Sequence, residues 1–134
     1  MKRLCIIPAR GGSKRLPGKN IKELAGKPLI LHTMDIALEC FEKIIFSSDS
    51  NNIRLVALRA KEGLGEDVLC DLRPKSLAAD TSKVIDTVRY YFDRLQADLD
   101  ISNGNEFDQI WLCLPTCPLR TKTDVEKAQA LLTP

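Results

Sequence analysis

Short runs of apolar residues alternate along the chain with longer segments in which apolar residues recur every three or four positions. The runs predict strands that are buried on both faces of a sheet, and the recurring positions predict helices with one buried face. The predicted strands are residues 4–8, 43–46, 67–72 and 109–114. The predicted helices are residues 28–41, 50–62, 82–95 and a last segment that begins at 123. This βαβαβαβα order predicts a three-layer α/β/α fold with a mainly parallel sheet, in which ligands bind beyond the carboxyl ends of the strands.

Local signals predict where the helices begin and which faces they bury. Ser48, Asp49 or Ser50 is expected to cap the second helix, because short polar side chains accept hydrogen bonds from free helical amides. Thr123 and Glu126 form a capping-box pattern that predicts the start of the last helix. The buried face of the third helix is predicted to carry six residues, Val84, Ile85, Val88, Tyr91, Phe92 and Leu95.

Composition excludes several classes of protein. The 134 residues are 44% apolar and 28% charged, as in an ordinary globular domain and unlike a disordered chain or a multi-span membrane protein. The net charge of +2 is too balanced to indicate a nucleic-acid or membrane partner. Five cysteines, an odd number without a C-x-x-C pair, argue against a disulfide framework and a structural zinc site. We therefore expect one cytoplasmic domain that binds neither nucleic acid nor membrane.

Positive charge is concentrated in the segment that follows the first predicted strand. Residues 9–20, ARGGSKRLPGKN, contain four basic side chains, three glycines and no acidic side chain. Glycines let the backbone approach a ligand closely, and cations together with exposed amides bind a dense anion such as a triphosphate. The spacing matches neither the P-loop nor the Rossmann G-x-G-x-x-G motif. A basic surface loop without a ligand explains the composition equally well, so the residues alone leave both interpretations open.

Four motifs in succession resemble one enzyme family. They are IIPARGGSKRLPGKNI followed by LAGKPLI, then FEKIIFSSDS, LRPKSLAADTS and LPTCPLRT. Together they resemble the cytidylyltransferases that activate acidic nine-carbon sugars, namely the acylneuraminate (CMP-sialic acid) synthetases and their pseudaminate and legionaminate relatives. The resemblance implies a Rossmann-like nucleotidyltransferase fold. It also implies a nucleotidyltransferase that joins CTP to a 2-keto sugar acid of sialic acid type, releases pyrophosphate and uses Mg²⁺.

The resemblance also implies roles for individual residues. Arg10 and Lys19 would be catalytic through their contacts with the phosphates, and Arg73 would help to read the cytosine. The implied CTP site comprises Ala9, Arg10, Gly12, Ser13, Lys14, Lys19, Asn20, Arg73 and Ser82. The implied floor under the sugar comprises Leu114, Pro115 and Thr116. Leu114 stands where the family usually has glutamine, so one hydrogen bond to the substrate is expected to be missing.

Members of this family are longer than 134 residues. The resemblance therefore implies that residues 1–134 are the nucleotide-binding part of a cytidylyltransferase domain truncated at its C-terminus. The magnesium ligands and much of the sugar site would lie in the absent C-terminal part, so no metal ligand is expected in this chain. A truncated sheet leaves apolar surface uncovered, and we therefore expect a homo-oligomer. Two other functions stay open: a non-catalytic nucleotide-binding remnant or subunit, and a sugar-1-phosphate nucleotidyltransferase.

Overall fold

Strands and helices alternate along the chain in a computed structural model, which describes residues 2–11, 23–24, 26–62, 67–75, 84–97, 107–115 and 120–132. The elements are β1 (Arg3–Pro8), β2 (Glu23–Leu24), β3 (Lys27–Pro28), α1 (Leu29–Cys40), β4 (Lys43–Ser48), α2 (Asn51–Ala60), β5 (Val68–Leu72), α3 (Val84–Ala97), β6 (Gln109–Leu112) and α4 (Lys122–Leu132). Every strand and helix predicted from the sequence is present, with ends that differ by at most two residues. The short antiparallel pair of β2 and β3 has no counterpart in the sequence prediction. Within the described ranges, no helix is long and apolar enough to span a membrane.

β1 lies in the interior of a parallel sheet with the strand order β5-β4-β1-β6. Leu4 of β1 lies opposite Lys43 of β4, and Arg3 lies opposite Gln109 of β6. The chain thus builds the sheet outward from β1 through β4 to β5 and then crosses to the other side of β1 to form β6. This reversal makes a topological switch point between β1 and β6, the place where parallel α/β sheets bind ligands.

Alternate residues of β1 enter two separate cores, because successive side chains of a strand point to opposite faces of the sheet. Cys5 and Ile7 pack into the larger core, which also receives buried residues from α1, α2 and α4. Leu4 and Ile6 pack into the smaller core with the fully buried Tyr91 of α3. Helices therefore cover both faces of the sheet, and the predicted three-layer α/β/α arrangement is confirmed.

The predicted buried face of α3 is wrong at three positions. Val84, Ile85 and Phe92 are 45%, 49% and 50% exposed, whereas Thr87 and Tyr91 are buried. Thr87 and Tyr91 lie four residues apart and therefore share one side of the helix. This side faces the sheet because the Tyr91 hydroxyl finds hydrogen-bond partners there, which makes burial of a polar group tolerable. Apolar periodicity does not encode those partners.

The predicted capping box of α4 is wrong by two residues. The helix begins at Lys122, and its capping box consists of Thr121 and Asp124. The Thr121 hydroxyl accepts from the Asp124 amide at 3.1 Å, and the Asp124 carboxylate accepts from the Thr121 amide at 3.0 Å. These two hydrogen bonds lower the pKa of Asp124, because they stabilise its ionised form. Thr123 and Glu126 belong to the helix itself.

Candidate functional site

Backbone hydrogen bonds hold the segments that leave β1 and β5 against the end of β4. The Ala9 amide donates to the Ser47 carbonyl at 2.8 Å, and the Arg73 amide donates to the Ser48 carbonyl at 2.8 Å. Ala9 is buried, and Arg10 follows it directly at the surface as a half-buried side chain. Three of the predicted nucleotide-site residues, Ala9, Arg10 and Arg73, therefore lie at the same carboxyl edge of the sheet.

The first glycine of the basic segment lies against the loop that follows β4. The Gly11 amide donates to Oδ1 of Asp49 at 2.8 Å. A Cβ at position 11 would lie only 2.7 Å from the Cβ of Ser50, so only glycine permits this approach. Ser50 itself caps α2, because its hydroxyl accepts from the Ile53 amide at 3.4 Å. Of the three predicted candidates, Ser50 is thus the cap, and Asp49 instead fixes the start of the basic segment.

Arg73 is a buried cation, with only 5% of its surface exposed. Its Nη1 donates to the carbonyl oxygen and to the hydroxyl oxygen of Ser47, both at 3.0 Å. In the part of the chain that the structure describes, its buried Nε has no hydrogen-bond partner. Burial lowers the pKa of Arg73 because it removes water from the charged form. A guanidinium stays protonated nonetheless, so its Nε–H is a donor for an acceptor on a ligand.

Arg10 and Arg73 lie close enough to interact electrostatically. After burial, the positive charge of Arg10 is a further influence that lowers the pKa of Arg73, while the carboxylate of Asp49 acts in the opposite direction. Arg10 and Arg73 together place several N–H donors at this edge, and the carboxylate of Asp49 offsets part of their positive charge. This edge is consequently suited to an anion or to the electronegative atoms of a polar ligand.

Two of the residues predicted to line the sugar side follow β6, the neighbour of β1. Leu114 is half-buried and Pro115 is buried, and the Leu114 carbonyl accepts from Nη2 of Arg120 at 3.3 Å. Because β6 is parallel to β1, these residues lie at the same edge of the sheet as Arg10. The other predicted site residues lie outside the described residues: Gly12, Ser13, Lys14, Lys19, Asn20, Ser82 and Thr116.

A row of hydrogen bonds extends behind Arg73 from β4 to α3. The Tyr91 hydroxyl oxygen lies 2.6 Å from Oγ of Ser47 and 2.6 Å from Oδ2 of Asp71. Nη1 of Arg94 donates to the same Asp71 oxygen at 2.9 Å. Burial and the hydrogen bond to Asp71 raise the pKa of Tyr91, so the phenol keeps its proton. The row therefore connects the buried guanidinium of Arg73 with an ion pair near the surface.

Several of these residues are absent from the site predicted by sequence. The sequence pattern favours a capping role for Asp49, with metal contact as the alternative, and it assigns no role to Asp71 or Arg94. A hydrolytic triad of Ser47 or Ser48 with Asp49 and His32 is disfavoured because the sequence lacks the G-x-S-x-G motif. One signal was available, because Ser47 and Asp71 are polar residues near the carboxyl ends of apolar strands, where ligands bind in this class of fold. The two residues also lie opposite each other in the sheet. No local signal identifies Arg94.

Comparisons with known proteins point to one family. A family model described as cytidylyltransferase matches residues 4–102. The CMP-N,N'-diacetyllegionaminic acid synthase of Legionella pneumophila is 45% identical over 130 residues, which cover 96% of this chain and 52% of that protein. The pseudaminic acid cytidylyltransferase of Campylobacter jejuni is 38% identical over 132 residues, which cover 96% of this chain and 52% of that protein.

Solved structures share the fold over nearly the whole chain. One of them is a CMP:2-keto-3-deoxy-manno-octonic acid synthetase complexed with CTP, with a TM-score of 0.59 and 23% identity, covering 98% of this chain and 47% of the other. The likeness confirms the predicted Rossmann-like nucleotidyltransferase fold. The chain spans about half the length of the curated relatives it matches. The family match over about three quarters of the residues covers the first three motifs and confirms the resemblance: the chain belongs to the cytidylyltransferase family.

Proposed function

We propose that the chain binds CTP at the carboxyl edge of its sheet and serves the transfer of the cytidylyl group to a nine-carbon 2-keto sugar acid of sialic acid type. The observation that carries this proposal is the pair of guanidinium groups at that edge, the half-buried Arg10 and the buried Arg73. The relatives named as synthase or cytidylyltransferase for legionaminic and pseudaminic acids support the choice of nucleotide and sugar.

Within this proposal, the basic segment binds the triphosphate and Arg73 binds the base. Arg10 and Lys19 stabilise the negative charge that develops on the leaving pyrophosphate, and Lys14 adds a third cation. A cation about 4 Å from a phosphate charge contributes roughly 4 kcal/mol at an effective dielectric constant of about 20, before the cost of desolvation. The other proposed contacts to CTP come from Ala9, Gly12, Ser13, Asn20 and Ser82.

The proposed reaction is a substitution at the α-phosphorus of CTP. The anomeric hydroxyl oxygen of the sugar acid forms a bond to this phosphorus, the bond to the bridging oxygen breaks, and pyrophosphate leaves. The hydroxyl proton passes to solvent. Leu114, Pro115 and Thr116 would line the floor between nucleotide and sugar, and the Leu114 side chain offers no hydrogen bond to either substrate.

Magnesium is part of the proposal because it neutralises charge on a triphosphate. Over the described ranges, no group of three His, Cys, Asp or Glu side chains is arranged to hold a metal ion. We assign no metal ligand among the described residues and derive no step through the ion. We propose that residues 1–134 form the nucleotide-binding part of the enzyme, and that a region equivalent to the other half of the relatives provides the residues that bind the sugar and the metal.

We further propose that the protein is a cytoplasmic homo-oligomer whose ligands are small molecules. The free thiols suit a reducing compartment; those among the described residues are Cys5, Cys40, Cys70 and Cys113. The half-exposed apolar side chains of α3 offer surface for self-association. The net charge of +2 favours small ligands over nucleic acid or membrane. Light scattering over a range of protein concentrations tests the oligomer, and a monomer at every concentration would contradict it.

Calorimetry with CTP, UTP and ATP tests the nucleotide site. We expect CTP to bind most tightly, and we expect Arg10→Ala to weaken CTP binding by roughly ten- to a hundredfold, as for the loss of a hydrogen bond to a charged group. Arg59→Ala is the matched control, because Arg59 is exposed in the last turn of α2, at the opposite end of that helix from the site. Equal affinity for the three nucleotides would contradict the choice of CTP, and full affinity in Arg10→Ala would contradict the role of Arg10.

A second assay separates an enzyme from a non-catalytic nucleotide-binding subunit. Pyrophosphate release is measured with CTP, Mg²⁺ and N-acetylneuraminic, pseudaminic or legionaminic acid in turn. Release that depends on one of these acids supports cytidylyl transfer by this chain. Tight CTP binding without release from any of them favours the nucleotide-binding subunit, which then needs a second polypeptide for activity.

A further inference from the structure

The protons in the row behind Arg73 can be located by counting donors and acceptors. The Asp71 carboxylate only accepts, and it lies 2.6 Å from the Tyr91 hydroxyl oxygen, so the single phenol proton belongs to that contact. The Tyr91 oxygen is then the acceptor for Ser47, whose Oγ lies 2.6 Å away. Ser47 consequently turns its lone pairs toward Nη1 of Arg73 at 3.0 Å. All hydrogen bonds of the row run in one direction, from Arg73 through Ser47 and Tyr91 to Asp71.

This direction matters because a guanidinium has only donors. If the Ser47 proton pointed toward Arg73, two donors would face each other and the contact would be lost. With the proton on the Tyr91 side, Nη1 of Arg73 has two acceptors on one residue, the hydroxyl and carbonyl oxygens of Ser47. The guanidinium is thereby fixed in one orientation, with its buried Nε–H unused in the described part of the chain.

At the end of the row farthest from Arg73, the hydrogen bonds are again donated to Asp71. Arg94 donates to the same oxygen of Asp71 that accepts from Tyr91. The side chains of this ion pair are 28% and 17% exposed, whereas Tyr91 and Ser47 are fully buried. Because Arg94 can only donate, its contact leaves Oδ2 of Asp71 as the acceptor at this end, and the Tyr91 proton stays directed to that oxygen.

We propose that Tyr91 and Asp71 are positioning residues for the nucleotide: they orient Arg73 through Ser47 so that the Nε–H of Arg73 meets an acceptor on the base. The inference rests on the proposed nucleotide site. Neither residue needs to touch the nucleotide. An unpaired buried donor is unfavourable, and a correctly placed ligand acceptor removes that penalty only if the guanidinium is already oriented.

Tyr91→Phe tests the row, because it removes the hydroxyl and keeps the ring that packs in the smaller core. We expect CTP affinity to fall by about two- to tenfold, the effect of one neutral hydrogen bond. Binding of inorganic tripolyphosphate should not change, because the phosphate contacts assigned to the basic segment stay intact. A general loss of structure would weaken the binding of CTP and of tripolyphosphate to the same extent, and that result would overturn the proposal.

Tyr90→Phe is the matched control, because the neighbouring Tyr90 hydroxyl contacts Arg94 at 3.3 Å and lies outside the row. Its CTP affinity should stay within about twofold of the unmodified protein. Ser47→Ala should weaken CTP binding as Tyr91→Phe does, and the double variant should be no weaker than Ser47→Ala alone, because both changes break one row. Additive losses in the double variant would overturn the proposal. If Tyr91→Phe does not fold, Ser47→Ala carries the same comparison of CTP with tripolyphosphate.

Arg73→Ala distinguishes failure of this inference from failure of the proposed function. If Arg73→Ala leaves CTP affinity unchanged, the proposed role of Arg73 in the nucleotide site is wrong. If Arg73→Ala weakens CTP binding by about tenfold or more while Tyr91→Phe and Ser47→Ala bind normally, only the positioning role is wrong.

Discussion

Replacement of Gly11 by alanine tests the close approach between the basic segment and the loop after β4. The added Cβ would lie 2.7 Å from the Cβ of Ser50 and 3.3 Å from its hydroxyl oxygen. Carbon atoms in favourable contact are about 3.5–4.0 Å apart, so the two segments must separate by roughly 0.8 Å or more. The Gly11 amide, now 2.8 Å from Oδ1 of Asp49, then lies near or beyond the limit of a hydrogen bond.

The expected loss of stability follows from these two effects. Overpacking of a well-packed position typically destabilises by about 1–3 kcal/mol, and the weakened hydrogen bond to a carboxylate acts in the same direction. Because the site is partly buried and Asp49 regains water, we expect the free energy of unfolding to fall by about 1–3 kcal/mol. For a chain of this length, each kcal/mol lowers the melting temperature by roughly 4 °C. CTP affinity should fall as well, because the contact between Gly11 and Asp49 fixes the first part of the basic segment, next to Arg10.

Urea unfolding followed by tryptophan fluorescence measures this change. Trp111 is the single tryptophan and lies 5.7 Å from the Phe41 ring in the larger core, so it reports global unfolding. Gly26→Ala is the comparison, because Gly26 has a φ of 78° and, among the described residues, no atom lies within 4 Å of an added Cβ. Backbone strain there costs about 1 kcal/mol without any clash and should leave CTP affinity intact. An unchanged urea midpoint and unchanged CTP affinity in Gly11→Ala would refute the reasoning.

Three further changes test the helix cap, the sheet core and the buried thiols. Thr121→Ala should lower the free energy of unfolding by about 1 kcal/mol while Thr123→Ala changes it little, and a lower urea midpoint for Thr123→Ala than for Thr121→Ala would restore the sequence-predicted cap. Ile45→Ala in β4, where the side chain is fully buried, should destabilise by about 2–5 kcal/mol, and a smaller loss would mean that the smaller core collapses around the cavity. Burial raises the pKa of Cys70 above its ordinary 9.0, so the unfolded thiol ionises first and stability falls as the pH rises above 9.0. Under reducing conditions, Cys70→Ala should reduce the fall of the free energy of unfolding above pH 9.0 by at most about 1.4 kcal/mol per pH unit. The same slope in the variant and the unmodified protein would contradict the raised pKa of Cys70.

The order of strands and helices was predictable because apolar runs and amphipathic segments alternate cleanly along the chain. The side of α3 that faces the sheet was predictable only in part. Apolar periodicity correctly places Tyr91 on the buried side, but it also places Val84, Ile85 and Phe92 there, and these are 45%, 49% and 50% exposed. The hydrogen bonds of Tyr91, which periodicity does not encode, favour burial of the side that it shares with Thr87. The capping box was ambiguous for a local reason, since TKTDVE contains two overlapping Thr-x-x-acid patterns. Only the backbone decides which threonine precedes the helix.

Some residues of the candidate site are identifiable from the local sequence, whereas others come together only in the folded structure. Arg10 was predictable from the sequence, because a basic glycine-rich segment leaves a buried strand, and Arg73 was predictable from the resemblance to a family. The row from Ser47 through Tyr91 to Asp71 joins residues 20 and 44 positions apart. Its members have ordinary structural roles when each is considered in sequence alone. The positioning role proposed for them depends on the direction of their hydrogen bonds, which only the assembled sheet and helix define.

The strand order of the sheet determines how late its parts close during folding. β4 and β5 pair across 24 positions, as between Ile44 and Val68, whereas Arg3 of β1 pairs with Gln109 of β6 across 106 positions. Loop-closure entropy makes pairing of β1 with β6 about 1.3 kcal/mol less favourable than pairing of β4 with β5. We therefore expect the β1–β6 pair to form last during folding. A small molecule that contacts the ends of both strands binds only the chain in which β1 and β6 are paired. By mass action, it therefore stabilises the pair of strands that forms last.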